Sequence, residues 1–377
     1  MFEALVLNKN FVPIAVFDTY ISFIWTERYG DIGDFELHID MSAEAWSNLE
    51  VGNYVSIADS NTLMVIESRS YTTDSEDGDK ATITGSSLET IFFRRVLPER
   101  YLITEEDTPK TLWTIVNDLI QDNVGAASGE HRQIQNIVVG SNYPDVMSTQ
   151  IPSLELSVGT TLYDALTTVC ELVENVTFKI EYTGGNRALW TVYFISGTYR
   201  SKSQSTYLPV VFSPEYENFL EGEFVETNSN LATVLYVEGE KDKDYNLYPV
   251  IPVGDGYTAN GLERFEGYLD CTSVSKTSDG FTMSAANYNL LLLQKGEAEL
   301  KKKAVEKTFD GEGNPSSSNT FVYGVDYFLG DLVTVIDRYG NSVDSRIVEF
   351  IQTCDDSGFK SYPTFKIPHE TEEVSIT

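Results

Sequence analysis

The chain has 377 residues, of which 41% are hydrophobic and 12% aromatic, so it can bury sizeable cores in about two to four domains. Its formal net charge of −32, from 26 basic and 58 acidic residues, excludes simple binding to nucleic-acid phosphates or anionic membrane surfaces. The three cysteines lack any paired spacing, which argues against a disulfide framework and a zinc site and favours assembly in a reducing cytoplasm. The sequence shows neither a signal peptide nor a run of apolar residues long enough to span a membrane, so it predicts no membrane insertion.

The first 100 residues predict a small β-barrel or sandwich, because short apolar runs rich in strand-forming residues are separated by turn residues. Ser42–Leu49 predicts one short helix, and Asp77-Gly78 supplies the residues of a hairpin turn. The predicted strands are Phe2–Leu7, Val12–Phe17, Tyr20–Glu27, Phe35–Ile39, Tyr54–Ala58, Leu63–Tyr71 and Ala81–Thr84.

Residues 101–205 predict an α+β insertion domain. Thr108 followed by Pro109 is typical of a helix start, and apolar residues recur at helical spacing after it. A second helix is predicted from Thr161, with Asp164 three residues on as the capping-box partner. The strands predicted after these helices are Val176–Tyr182 and Leu189–Ile195.

Residues 206–377 predict a second β-barrel that is interrupted by a helix around residues 284–304. Ser284 can cap this helix, and Lys301–Lys303 lie near its C-terminal end, where the helix dipole favours cations. Gly296 weakens the helix by about 1 kcal/mol relative to alanine. The strands predicted in this part are Tyr207–Phe212, Gly222–Thr227, Leu231–Glu238 and Phe265–Cys271. The fold class is therefore mainly β, with two related small barrels and intervening α+β domains.

An internal repeat connects the two β-rich parts of the chain. VGNYVSIAD at 51–59 resembles LGDLVTVID at 329–337, and LMVIES at 63–68 resembles SRIVEF at 345–350. Three consecutive antiparallel strands can match by coincidence; the alternative is two copies of one small barrel in a single chain. Two barrels per subunit would let a trimer present six near-equivalent units around an axis. The matched positions are Gly52 with Gly330, Val55 with Val333, Ile57 with Val335, Asp59 with Asp337, and Ile66-Glu67 with Val348-Glu349.

The sequence predicts no enzyme activity, no cofactor and no metal site. His38, His131 and His369 have no partner at the spacing of a metal site or catalytic triad, and no nucleophile or phosphate-binding motif occurs. The acidic loop at 74–79 misses the spacing of a calcium loop, which favours an ordinary hairpin turn and leaves calcium binding open.

Several strings resemble the siphophage tail-hub proteins, the tail-associated proteins of phages of Gram-positive bacteria that are similar to baseplate hubs. They are FIWTERYGDIGDFELHI, ATITGSSLETIFFRRVL, VVFSPEYENFLEGEF, GDLVTV and RIVEFIQTCDDSGFKSYPTF. The resemblance implies tube-like barrels of tail-tube or hub type and a homotrimer that forms a pseudo-sixfold ring. Such a ring would close or extend the distal tail tube at the virion tail tip after assembly in the host cytoplasm.

The resemblance also implies the partners of the chain. They are the distal tail protein or tail-tube ring, the tape-measure protein, and receptor-binding or tip proteins, with viral DNA passing through without specific binding. Some family members carry an enzymatic extension, but this chain stops about ten residues after its last predicted strand, so peptidoglycan cleavage is not carried over.

Two sets of residues allow a sharper hypothesis. Residues 213–240 contain seven Glu and no Lys or Arg, which indicates either solvated strand faces or an acidic lining of the ring that repels DNA. The four tryptophans could instead stack on sugars in a carbohydrate-binding module that docks the phage to the cell wall, although their positions favour core packing. The candidate lining residues are Glu215, Glu217, Glu221, Glu223 and Glu226.

Overall fold

The protein is described by a computed structural model, and it is mainly β. The described residues form two compact units: Met1–Gly222 with Asp310–Phe365, and a second unit built on Glu223–Phe309. Within the described part of the chain, no helix is both long and apolar enough to cross a membrane. The structure describes residues 3–58, 60–76, 78–104, 108–173, 175–183, 189–218, 222–241, 247–254, 260–278, 281–303, 305–311, 321–340 and 342–366.

The N-terminal part of the first unit contains seven strands and one short helix, as the turn residues predict. Helix α1 (Ala43–Asn48) begins at Ser42, whose hydroxyl accepts a hydrogen bond from the Ala45 N–H at 3.0 Å. Ala45 and Leu49 then pack with the strands around the buried Trp25. The strands are β1 Ala4–Leu7, β2 Pro13–Phe17, β3 Ser22–Arg28, β4 Asp34–Asp40, β5 Tyr54–Ile57, β6 Leu63–Thr72 and β7 Lys80–Ser87.

Two helices and seven short strands follow. The predicted helix start at Thr108-Pro109 is wrong by three residues, because Lys110–Thr111 pair with Gln150–Ile151 as strands. Thr111 is the cap instead, and its hydroxyl accepts from the Thr114 N–H at 3.1 Å. The predicted cap at Thr161 is confirmed. The elements are β8 Tyr101–Ile103, β9 Lys110–Thr111, α2 Leu112–Asn123, β10 Ile137–Val139, β11 Gln150–Ile151, β12 Leu154–Leu156, α3 Leu162–Cys170, β13 Thr177–Thr183 and β14 Leu189–Ile195.

The next strand, β15 (Val211–Phe212), is shorter than the predicted Tyr207–Phe212. The Gln204 amide donates to the carbonyl oxygens of Ser201 and Tyr207, each at 3.0 Å, so this stretch forms a turn. The elements of the second unit are β16 Gly222–Thr227, β17 Val234–Glu238, β18 Val250–Gly254, β19 Glu266–Asp270, β20 Thr277–Ser278, β21 Phe281–Thr282, α4 Ala285–Lys301 and β22 Glu306–Gly311.

The second unit packs α4 on the three-stranded sheet β18-β17-β19, while β16 pairs with β22. The predicted cap of α4 is confirmed, since the Ser284 hydroxyl accepts from the Asn287 N–H at 3.2 Å. Gly296, which weakened the prediction of this helix, has a packing role. A Cβ there would lie 2.6 Å from a methyl of Val253 and 2.7 Å from one of Val237, so only glycine lets the helix approach the sheet.

The chain then returns to the first unit with three strands, β23 (Leu332–Ile336), β24 (Ser342–Asp355) and β25 (Gly358–Lys366). The main sheet of this unit has the order β25-β24-β3-β4-β7-β6-β5-β1-β2, with β23 paired to both β24 and β15. Besides its pairing with β25, strand β24 is long enough for two further partners, because β23 pairs with its first half and β3 with its second half. Strands from the two ends of the sequence therefore share one sheet.

Candidate functional site

The meander of the first copy of the internal repeat begins at a tight turn before β5. The Gly52 N–H donates to the Ile66 carbonyl at 2.8 Å, and the Ile66 N–H donates to the Asn53 carbonyl at 2.8 Å. The backbone of Gly52 has a φ of +90°, which glycine adopts without the steric penalty of a side chain. This turn sets the register of the meander β5-β6-β7.

The second copy has the same turn before β23. The Gly330 N–H donates to the Ile347 carbonyl at 2.8 Å, and the Ile347 N–H donates to the Asp331 carbonyl at 2.9 Å. The φ of Gly330 is +89°. The segments around Val55 and Val333 thus share both their strand order and their turn geometry, as the sequence repeat predicts.

One detail of the predicted alignment is wrong. The sequence match pairs Ile66 with Val348, whereas the hydrogen bonds make Ile66 equivalent to Ile347, one residue earlier. The segment from the turn glycine to the equivalent residue of the next strand is three residues longer in the second copy, whereas the sequence match implied four. The offset between equivalent residues of β6 and β24 is therefore 281, the difference between 347 and 66.

The strand set of the first copy, which also includes the preceding pair β3-β4, is joined edge to edge to that of the second copy by β3 and β24. These strands pair in antiparallel register from Glu349 opposite Arg28 to Cys354 opposite Phe23. The junction uses backbone hydrogen bonds of the kind that hold each copy together internally. It is the one place where the sheet passes from the first copy to the second among the described residues of this unit.

Arg28 anchors this junction at one end. Its Nε donates to Glu349 at 2.7 Å, its Nη1 donates to the Ile32 carbonyl at 2.8 Å, and it also contacts the Asp34 carboxylate. The Thr364 hydroxyl donates to the other oxygen of Glu349 at 3.0 Å. Burial lowers the pKa of Arg28, but its bonds to Glu349 and Asp34 outweigh burial and raise that pKa above the ordinary value. One ion-pair cluster therefore connects three strands across the junction.

The sheet around the junction has an apolar face and a polar face. Residues opposite one another in neighbouring strands share a face, and the buried pair Trp25 and Phe35 defines the core side. On the other side the Asp34 and Glu36 side chains are 49% and 46% exposed, so their carboxylates face solvent. The polar face of β4 and β7 comprises Asp34, Glu36, His38, Thr82, Thr84 and Ser86.

Comparison with known proteins identifies the family. A family model described as Siphovirus ReqiPepy6 Gp37-like protein matches residues 3–365. The chain belongs to this siphovirus family. A search of the curated proteins finds no match.

Solved structures of tail proteins share the fold of this siphovirus protein. A tail protein from Neisseria meningitidis MC58 is 14% identical with a TM-score of 0.57, covering 97% of this chain and 96% of that one. The 43 kDa tail protein of prophage MuSo2 from Shewanella oneidensis is 13% identical with a TM-score of 0.57, covering 97% and 98%. Prophage tail protein gp18 from Listeria monocytogenes EGD-e is 12% identical with a TM-score of 0.52, covering 97% and 94%. The resemblance seen in the sequence is confirmed at the level of family and fold.

The five glutamates predicted as a channel lining are only partly described. Glu215 and Glu217 are exposed in and beside a short 3₁₀ turn, and Glu217 adopts a left-handed φ of +56°. Glu226 is exposed on β16, while Glu223 lies in the same strand with its side chain outside the description. Glu221 lies outside the described residues. The acidic lining stays a prediction.

The tryptophans of the siphovirus protein make packing contacts in the structure. Trp25 and Trp190 are 0% and 9% exposed, and Trp113 packs against the core formed by α2 and α3. The Arg69 guanidinium lies over the Trp46 ring, 4.0 Å from its centroid. These contacts favour core packing for the tryptophans, and the carbohydrate-binding alternative stays a prediction.

The burial of two acidic residues, Glu89 and Asp331, could not be predicted from the sequence. The Glu89 carboxyl accepts from the Ile180 N–H at 2.5 Å, and burial raises the pKa of Glu89 above its ordinary value. Asp331, only 3% exposed, accepts from the Arg200 Nε at 2.7 Å. Within the described ranges, no cluster of three His, Cys, Asp or Glu could hold a metal ion; the 74–79 loop is described except for Asp77. Asp331 is paired with Arg200 and Glu89 accepts a backbone N–H, so both buried carboxyl groups have polar partners that stabilise the fold.

Proposed function

We propose that this siphovirus protein is a non-enzymatic hub of the phage tail tip or baseplate. Three copies form a pseudo-sixfold ring that closes or extends the distal tail tube and connects it to the host-binding components. The observation that carries the proposal is the β3–β24 junction, where two equivalent strand sets lie side by side in one sheet. In a ring of six such strand sets, the contact within each chain already joins them in pairs. Only one further kind of contact, between chains, is then needed to close the ring.

The proposal assigns one tube-type barrel to residues 1–100 and a second to residues 206–377. The matched turns at Gly52 and Gly330 support this assignment, since each opens an antiparallel meander of the same strand order. Residues 101–205 form an α+β insertion domain, and the helix α4 belongs to an insertion in the second barrel.

The proposed partners are other tail components. They are a distal tail protein or tail-tube ring, the tape-measure protein, and receptor-binding or tip proteins. The chain would be assembled in the host cytoplasm and reside at the virion tail tip. Membership of a siphovirus family and the fold shared with three tail proteins support this location.

Viral DNA would pass through the ring without specific binding. The net charge of −32 supports this, because carboxylates repel a polyanion within the screening length of about 8–10 Å at physiological salt. The predicted lining residues Glu215, Glu217, Glu221, Glu223 and Glu226 remain candidates. The polar face that includes Asp34 and Glu36 is a further acidic surface.

The oligomeric state tests the proposal. We expect light scattering and native mass spectrometry to find three chains of 42.2 kDa, about 127 kDa in total, for the protein alone or with its adjoining tail protein. Electron-microscopy class averages along the particle axis should then show six similar lobes. A strict monomer under both conditions, or a ring without this pseudosymmetry, would refute the assignment.

A further inference from the structure

One edge of the first copy is incompletely paired. Strand β5 covers only the first part of β6, pairing with Leu63, Met64 and Val65, and β7 pairs along the other edge as far as Thr72. Within the described residues, no strand pairs with the remaining edge of Ser68–Thr72, and no further backbone hydrogen bond from this segment is made. A half-strand with free N–H and C=O groups is a template for strand addition.

The second copy shows what occupies this position. The offset of 281 makes Arg69 and Tyr71 of β6 equivalent to Phe350 and Gln352 of β24. Phe350 and Gln352 pair with β3, opposite Glu27 and Trp25. The equivalent edge of the second copy is therefore filled by β3.

The strand equivalent to β3 in the second copy is β16. In the first copy, β3 pairs with β4, and both precede the meander β5-β6-β7. In the second copy, β16 pairs with β22, and both precede the meander β23-β24-β25. Strand β16 ends its sheet in the strand order, so one of its edges has no partner among the strands that the structure describes.

We infer that Ser68–Thr72 of one chain pairs in antiparallel register with Gly222–Thr227 of the next chain. The inference rests on the proposed function and identifies the contact that closes its ring. The partner is a second copy of this chain because the internal β24–β3 junction is the template for the contact between chains. Each chain then offers one open edge at β6 and one at β16, and repetition of the contact joins every chain to two neighbours.

The composition of the segment is compatible with this contact. Ser68–Thr72 contains no carboxylate in a chain of net charge −32, and Arg69 is its only charged residue. Strand β16 contains Glu223 and Glu226, so the pairing brings an acidic strand to an edge without acidic residues. Repulsion between the chains is smaller here than between two average surfaces of this protein.

Engineered disulfides provide the first test. Ser68, Ser70 and Thr72 lie on the face of β6 opposite the core, and Val225 and Glu226 project to opposite faces of β16. We expect oxidation to link one of Ser68→Cys, Ser70→Cys or Thr72→Cys between chains to either Val225→Cys or Glu226→Cys, but not to both. The matched control is Thr353→Cys, at the position equivalent to Thr72 on β24, where β3 already occupies the edge. It should give no link between chains with either partner.

A proline provides the second test. The Tyr29 N–H donates to the Val348 carbonyl. Because backbone groups alternate along a strand, Phe350 and Gln352 also direct their N–H and C=O groups to β3. Tyr71 is equivalent to Gln352, so its N–H points to the open edge of β6. Tyr71→Pro removes that N–H and should lower the trimer fraction at least tenfold, while Tyr71→Ala keeps the N–H and the trimer. Circular dichroism should show folded chains for both variants.

The outcomes separate this inference from the proposed function. A trimer of mass about 127 kDa that forms none of these disulfides and is unaffected by Tyr71→Pro would overturn the β6–β16 contact alone. A wild-type chain that never forms a trimer would overturn both. Disulfides together with proline-induced dissociation would establish the contact.

Discussion

The matched glycine turns permit a paired test of the repeat. A Cβ on Gly330 would lie 2.3 Å from the Tyr29 ring, whose hydroxyl is held 2.9 Å from the Asn175 Oδ1. A Cβ on Gly52 would meet only the end of the flexible Lys9 side chain, at 3.0 Å. Alanine in a left-handed conformation costs about 1–2 kcal/mol at either site, and overpacking against a held ring adds about 1–3 kcal/mol. We therefore expect Gly330→Ala to lower the free energy of unfolding by about 2–5 kcal/mol, and Gly52→Ala by about 1–2 kcal/mol.

Urea unfolding at fixed protein concentration measures both variants, with the fluorescence of the buried tryptophans as the signal. The expected result is a lower midpoint for Gly330→Ala than for Gly52→Ala, with both below the wild type. A neutral Gly52→Ala would mean that the left-handed turn is not formed in the first copy. Equal losses at both sites would show that Tyr29 is free to move away, contrary to the contacts described for it.

Three further predictions use the same urea assay. Glu349→Gln removes the charged partner of Arg28 at the junction; since both side chains are more than a quarter exposed, we expect a loss of about 1 kcal/mol, and no change would contradict a structural ion pair. Arg200→Met leaves the buried Asp331 without its cation and should cost about 3 kcal/mol; a loss under 1 kcal/mol would refute this reasoning. Burial raises the pKa of Glu89, so the folded chain binds more protons than the unfolded chain, and stability falls as pH rises from about 4.5 through the folded pKa. Glu89→Gln should remove this part of the pH dependence, and an unaltered pH profile would count against it.

Helix caps and glycine turns of this fold can be predicted from the sequence because they depend on residues that are neighbours in the chain. Thr161 and Ser284 cap helices as predicted, since each hydroxyl accepts an N–H within the first turn, and the short helix predicted over Ser42–Leu49 is present. The repeat is also visible, because Gly52 and Gly330 occupy turns that require a positive φ. In contrast, Thr108 fails as a cap because a strand pair with residues about 40 positions away extends over the predicted first turn.

The β3–β24 junction could not be predicted from the sequence. The junction pairs residues such as Arg28 and Glu349, which are 321 positions apart, and no local pattern in either strand specifies its partner. Glu89 was also missed, because its burial depends on the Ile180 backbone from a distant strand. The offset of the repeat was wrong by one residue because Ile66-Glu67 matches Val348-Glu349 in residue type, whereas the turn hydrogen bonds make Ile66 equivalent to Ile347.

The pairing of β3 with β24 has a consequence for the order of folding during synthesis. About 300 residues leave the ribosome between these strands, so β3 waits with an unsatisfied edge while the intervening segments fold. Such long-range closure is slow, and until it is complete the unpaired β3 of one chain can pair with the unpaired β24 of another chain that is still folding. We therefore expect chains made close together on one messenger RNA to exchange strands, so that the yield of correctly closed protein falls as expression rate increases.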